Sequence, residues 1–195
     1  MTSLIKTLVH GITDPRQALE AGALGVDGAV VQVGGEGPLA VEAEQATAIA
    51  AALPPLVARL AIVPAGVHLP CGFTIAVTVF EDERPPGAGS HFAIVPPEIE
   101  DLERVPVDLD GIWVMPRRNH PLPHDLNRIE RFARRARVLL EAPDHSSGLE
   151  ATLRLIRPYA VVLGAAIWFG PGICDMDKLE EALAVVARTN KQLLR

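Results

Sequence analysis

Eight short aliphatic runs, each four to seven residues long, recur along this chain, and that rhythm limits its fold more than any other feature. They are 4–9, 29–33, 57–63, 74–80, 92–95, 111–115, 136–141 and 160–164. Such runs suit buried strands and are too short for buried helices. Only 4% of the residues are aromatic, so the core is built from Ala, Val, Ile and Leu, as in parallel sheets covered by helices. With 195 residues, 49% of them hydrophobic, the chain fills one core and is short for two, so a single domain over 1–195 is expected.

The segments between the runs are mostly helical in pattern. After the first run, Asp14 is placed to cap a helix, Pro15 takes its first position and Gln17 has capping-box spacing, with a stop at Gly22. Further helices are expected over 41–53, 96–104, 126–133 and 176–193, and over a segment headed by Ser147 and Glu150 that ends before Pro158. Between Pro64 and Gly72 there is room for a single turn, and Pro85-Pro86-Gly87 is loop chemistry, so the third and fourth helices are expected to be shortened or missing. Eight strands, most separated by helices, predict an α/β protein of the compact (β/α)8 TIM type. Right-handed crossovers repeated that often close on themselves instead of leaving an open sheet.

The net charge of -6 makes nucleic acid a poor partner, and the basic cluster Arg128, Arg131, Arg134, Arg135 and Arg137 reads as a solvated helix face. Cys71 and Cys174 have no CxxC spacing, so neither a zinc site nor a disulfide framework is suggested. The N-terminus runs into the first strand without a long apolar stretch, and no apolar run has membrane length, so a soluble, cytoplasmic protein without membrane partners is expected.

At both ends the residues resemble a family. The stretch Leu8-Val-His-Gly-Ile-Thr-Asp-Pro15, followed by Ala21-Gly-Ala-Leu-Gly-Val-Asp-Gly28, is similar to the opening of phosphoribosylanthranilate isomerases. Glu44-Gln45-Ala46 and Ala51-Leu-Pro-Pro55 resemble the family's second helix. Arg157-Pro-Tyr-Ala-Val161 and Gly170-Pro-Gly-Ile-Cys-Asp175 resemble its last strand and the turn before the terminal helix, whereas the middle matches only in strand order. The resemblance implies a barrel with acid/base isomerase chemistry. It also implies a divergent site: His10 stands where the family has its catalytic Cys, and Met115 where it has its acidic Asp. The family's phosphate-binding glycines give way to Glu141-Ala-Pro143 and Gly164-Ala-Ala166. A carboxylate and a proline there oppose the binding of a phosphate dianion.

In a barrel of this kind chemistry sits at the C-terminal strand ends, which points to His10, Gln32, Glu81, Arg117, Arg118, Glu141, Asp144, His145 and Gly164. His10 is a group of near-neutral pKa on the first strand, and Glu141 is a carboxylate across the mouth. The two form the expected catalytic pair, and the others are expected to bind substrate. Each also has a plain reading as a solvated rim residue. His10, Glu81, Glu141 and His145 come from separate loops with no i, i+4 pair, so no metal site is expected, and no cofactor is implied. Prolines around His120 and His124 suggest a loop. Gly34-Gly35-Glu36-Gly37 lacks the lysine of a P-loop, and Trp168-Phe169 places aromatic surface near the last loop. Two functions stay open: an isomerase-type enzyme acting on a small sugar-like or carboxylated molecule, and a non-catalytic barrel. In the second, a sheet flank bared by the missing helices meets a partner or a second copy, as in a homodimer.

Phosphoribosylanthranilate itself should not be isomerised at a meaningful rate. Loss of a positioned acid costs about 10²- to 10⁴-fold, to which lost phosphate anchoring adds. Complementation of a strain lacking that isomerase is the check, and growth would refute the expectation.

Overall fold

The computed structural model describes residues 4–195 except 81, 97, 101–108, 116–121 and 143–147, and leaves aside the side chains of 122–124. In chain order its elements are β1 (Lys6–His10), α1 (Pro15–Ala23), β2 (Gly28–Val33), β3 (Ala40–Val41), α2 (Ala43–Ala52), β4 (Ala58–Ile62), β5 (Ile75–Val79) and β6 (Ser90–Val95). There follow β7 (Gly111–Val114), α3 (Leu122–Ala133), β8 (Val138–Glu141), α4 (Leu149–Ile156), β9 (Ala160–Leu163), β10 (Trp168–Gly170), β11 (Ile173–Cys174) and α5 (Met176–Leu193).

Every strand pair in the main sheet is parallel, and β1 bonds to both β2 and β9, so β1, β2, β4, β5, β6, β7, β8 and β9 close into the expected eight-stranded barrel. The two-residue β3 lies beside β2, and β10 and β11 form a separate antiparallel ribbon after the last barrel strand. Alternate residues point inward. Leu8, Val30, Leu60, Val77, Phe92, Trp113, Leu139 and Val162 fill the barrel, while the outward-facing Val9, Val31, Ala61 and Val161 pack beneath the helices.

No helix lies between β4 and β5, nor among the described residues between β5 and β6, as the prolines and glycines there predict. The 96–104 helix falls mostly outside the described residues, and 98–100 are not helical. The flank is nevertheless covered. Ala61, Val63, Ala76, Ala93 and Val95 face away from the barrel axis and are at most 2% exposed. Phe73 and the half-buried Leu69 join the cluster that holds Ala61 and Val63, and Phe80 joins the one that holds Val95. The buried Thr78 hydroxyl and His91 Nε2 lie 2.8 Å apart and share a hydrogen bond in the same layer. The outward faces of these strands are thus buried at the named residues although no helix follows β4.

Three local expectations change. Asp14 does cap α1, accepting from the Arg16 amide at 2.7 Å, but Gln17 completes no capping box. Its side chain instead donates to the Gly172 carbonyl at 3.1 Å and accepts from the Cys174 amide at 3.3 Å, tying the β10–β11 ribbon to α1. Gly22 does not stop α1, which continues to Ala23, because the missing side chain lets the helix press against the ring of Pro54. His124 lies in α3, which begins at Leu122, since a proline in the first turn removes no helical hydrogen bond; His120 is outside the described residues.

The arginine cluster is not uniformly solvated either. Arg131 and Arg134 are exposed and pair with Glu100 and Glu130, but Arg128 is 1% exposed. Its guanidinium donates to Asp125 Oδ1 at 3.1 Å, to the Ile99 carbonyl at 3.1 Å and to the Met115 carbonyl at 3.3 Å, above the Phe132 ring. One cation thus fastens the exit of β7 to α3. Arg128→Ala should lower the unfolding free energy by about 3–5 kcal/mol, because the buried Asp125 loses its counter-charge. Arg128→Met combined with Asp125→Leu should cost much less. Equal losses in urea denaturation would show that only packing matters at this position.

Candidate functional site at the barrel mouth

His10 is the last residue of β1, Glu141 the last of β8, and Gly164 follows β9, the strand that lies between them. The strand alternation that turns Leu8 and Leu139 inward also turns His10 and Glu141 inward. Gly164 is what lets them share a space. A side chain there would collide with Glu141 Oε1, and its Cβ would stand 3.6 Å from His10 Nδ1. The carboxylate and the imidazole therefore face one glycine, at the end of the strand between them.

Two tryptophans surround this pair. Trp113 on β7 is 2% exposed, donates its indole N–H to Glu141 Oε2 at 3.0 Å, and meets the His10 ring edge-to-face with centroids 5.1 Å apart. Trp168, at the start of β10, donates its N–H to the His10 carbonyl at 2.9 Å and sets its ring 5.9 Å from the imidazole. Its close approach requires Gly11, whose φ is 90° and whose Cβ would lie 2.5 Å from Trp168 Cζ2. Thr13 and Gln17 hold the ribbon in place through the Gly172 carbonyl.

Enclosure sets the chemistry of His10. Burial pushes its imidazole from 6.5 down to about 4, since a cation is poorly stabilised away from water. The near-neutral pKa expected from the sequence is thus corrected: His10 is uncharged at neutral pH. Its Nε2 is buried with no hydrogen-bond partner among the described residues, an uncommon condition for a ring nitrogen. Cys174, on β11, is held in its thiol form, pushed up to about 11 by burial and by Asp175 and Glu20.

Gln32 lies on β2 two residues beyond Val30, the register partner of His10, and so reaches the same rim on the far side of β1. Glu81, Arg117, Arg118, Asp144 and His145 lie outside the described residues. Among the described residues no group of three or more His, Cys, Asp or Glu side chains is placed to hold a metal ion. Nor is any helix among them long and apolar enough to cross a membrane. Of the two aromatics expected near the last loop, Trp168 packs beside His10, whereas Phe169 is 81% exposed. Trp113 was not singled out by sequence reasoning. Its signal was its place two residues before Met115, on the inward face of a strand ending at the mouth.

A titration separates this geometry from a solvated rim. Between about pH 4 and 6.5 the unfolded chain binds a proton at His10 that the folded chain refuses. The corresponding stability is complete above pH 6.5 and is lost as the pH falls towards 4, by about 3 kcal/mol at most. The His10 resonances should titrate near 4 in NMR spectra, and His10→Gln should flatten this part of the stability curve. A midpoint near 6.5 would mean that the ring is solvated.

No protein-family profile matches the sequence, and no curated protein matches it. Solved structures do match the fold. Monomers generated from the dimeric phosphoribosylanthranilate isomerase of Thermotoga maritima superpose with a TM-score of 0.77 at 16% identity, over 95% of this chain and 100% of that one. A phosphoribosylanthranilate isomerase in complex with reduced 1-(o-carboxyphenylamino)-1-deoxyribulose 5-phosphate gives 0.77 at 18% identity, over 95% and 100%. The isomerase of Thermus thermophilus gives 0.76 at 22% identity, over 94% and 99%. The chain has, over nearly its whole length, the fold of the phosphoribosylanthranilate isomerases.

Proposed function

We propose that this protein is an isomerase-type enzyme that moves a proton within a small sugar-like or carboxylated substrate, with Glu141 and His10 as the groups that handle it. The observation that carries this reading is their convergence on Gly164, the one position between them that has no side chain. In the proposed step Glu141 takes a proton from a hydroxyl-bearing carbon beside a carbonyl and returns it to the carbonyl carbon, while the hydroxyl proton passes to the former carbonyl oxygen, so that carbonyl and hydroxyl exchange places. His10, neutral at working pH, hydrogen-bonds the oxygen on which negative charge develops, as an uncharged imidazole can. Gln32 and, by their sequence positions after barrel strands, Glu81, Arg117, Arg118, Asp144 and His145 are assigned to substrate binding.

The substrate is proposed to differ from the phosphorylated ligand bound by the solved relative. Glu141 and Pro143 stand where the resemblance expects backbone amides free to hold phosphate, and a carboxylate repels a dianion. One observation favours the non-catalytic alternative: Trp168 packs on Gly11 beside His10, and His10 Nε2 is buried. In that case the mouth is simply closed.

Solvent exchange distinguishes the two. Aldoses, ketoses and sugar acids incubated with the protein in D2O should include at least one that gains deuterium beside its carbonyl, read by proton NMR. Glu141→Gln should slow that exchange by about 10²- to 10⁴-fold, and His10→Ala should slow it as well. Exchange indifferent to both substitutions, or none with any compound, would leave the non-catalytic barrel.

A further inference from the structure

We propose that Trp113 is a positioning residue that fixes Glu141 and His10 relative to each other. This rests on the reading of those two residues as a functional pair. Three observations converge on the one side chain. Its indole N–H donates to Glu141 Oε2 at 3.0 Å, its ring meets the His10 ring at 5.1 Å with the planes 85° apart, and it is 2% exposed within the barrel core.

The placement follows from the register. Trp113 lies beside Leu139 across β7 and β8, and Glu141 is two residues further along the same inward face. The indole therefore rises from the layer below the mouth and meets the carboxylate from beneath. That leaves Oε1 turned towards Gly164. A glutamate side chain has three rotatable bonds, and without this donor its carboxylate has other rotamers open to it. The base of the Trp113 bracket is itself anchored, since Arg128 donates to the carbonyl of Met115 at the exit of β7.

A purely structural tryptophan would fill volume but would not sense the charge on Glu141. The test uses the full chain without ligand, with ¹³C-labelled glutamate and ¹⁵N-labelled tryptophan, and Glu141→Gln assigns the carboxylate. Trp113→Phe keeps a ring in the core and removes the donor. The Glu141 carboxylate should then titrate about one pH unit higher, because a hydrogen bond to the charged form has been lost. His10 faces the same glycine, so the shift is measured again in His10→Gln to separate the two. If Trp113→Phe does not fold, the unsubstituted protein still decides. The Trp113 indole N–H resonance should move with the Glu141 midpoint and lose that response in Glu141→Gln. An unresponsive indole, or an unshifted carboxylate in a folded Trp113→Phe, overturns the proposal. The readout needs no substrate, so a positive titration without deuterium exchange in any sugar would defeat the isomerase reading and leave the positioning role intact.

Discussion

Closure of the sheet through β1 is the constraint on which the rest depends. β1 bonds to β2 on one side and to β9 on the other, and without the second pairing both would be open edges. Closure also fixes the inside. Each strand gives alternate residues to the barrel axis, and the last inward residue of each is delivered to one ring at the mouth. His10 and Glu141 are 131 positions apart in the chain and meet only because of that ring. The seam is reinforced at its other end, where the Asn190 amide of α5 accepts from the Ile5 N–H at 2.9 Å and donates to the Ile5 carbonyl at 3.0 Å.

The missing helices show how little of the outer layer closure requires. A strand's outward face must be dry, but a helix is not the only way to dry it. Between β4 and β5 the loop folds Phe73 over the flank, and Ala61 and Ala76 are small enough for a loop to cover. Polar groups in that layer pair with one another, as Thr78 and His91 do, and the Asp110 carboxylate takes the His91 amide at 2.8 Å. A loop layer is thinner than a helix layer, and the outward residues here are correspondingly small.

Strand order, the barrel and the two lost helices could be read from the chain because they follow from local period and from proline and glycine. Several exceptions involve long-range partners. Gln17 has capping-box spacing, yet its amide is taken by Gly172 and Cys174, more than 150 positions away. Arg128 looks like its exposed neighbours, and only the carbonyls of Ile99 and Met115 explain its burial. His10 and Glu141 were legible as mouth residues from alternation. The charge state of His10 was not, because it depends on two tryptophans from other strands. Trp113 reads as ordinary core until Glu141 is seen above it.

The mouth joins two opposite demands. A carboxylate left at the end of a dry barrel would be costly, and the Trp113 N–H offsets part of that cost while adding apolar surface. The same surface excludes water from His10 and keeps it uncharged. A neutral imidazole keeps one ring nitrogen able to donate and the other able to accept a hydrogen bond. Gly164 completes the arrangement, since any side chain on β9 at that height would occupy the volume that both groups face. The three features depend on one another. A side chain at the glycine displaces Glu141, removing the tryptophan takes one hydrogen-bond donor from it, and hydrating the site would let His10 take up a proton.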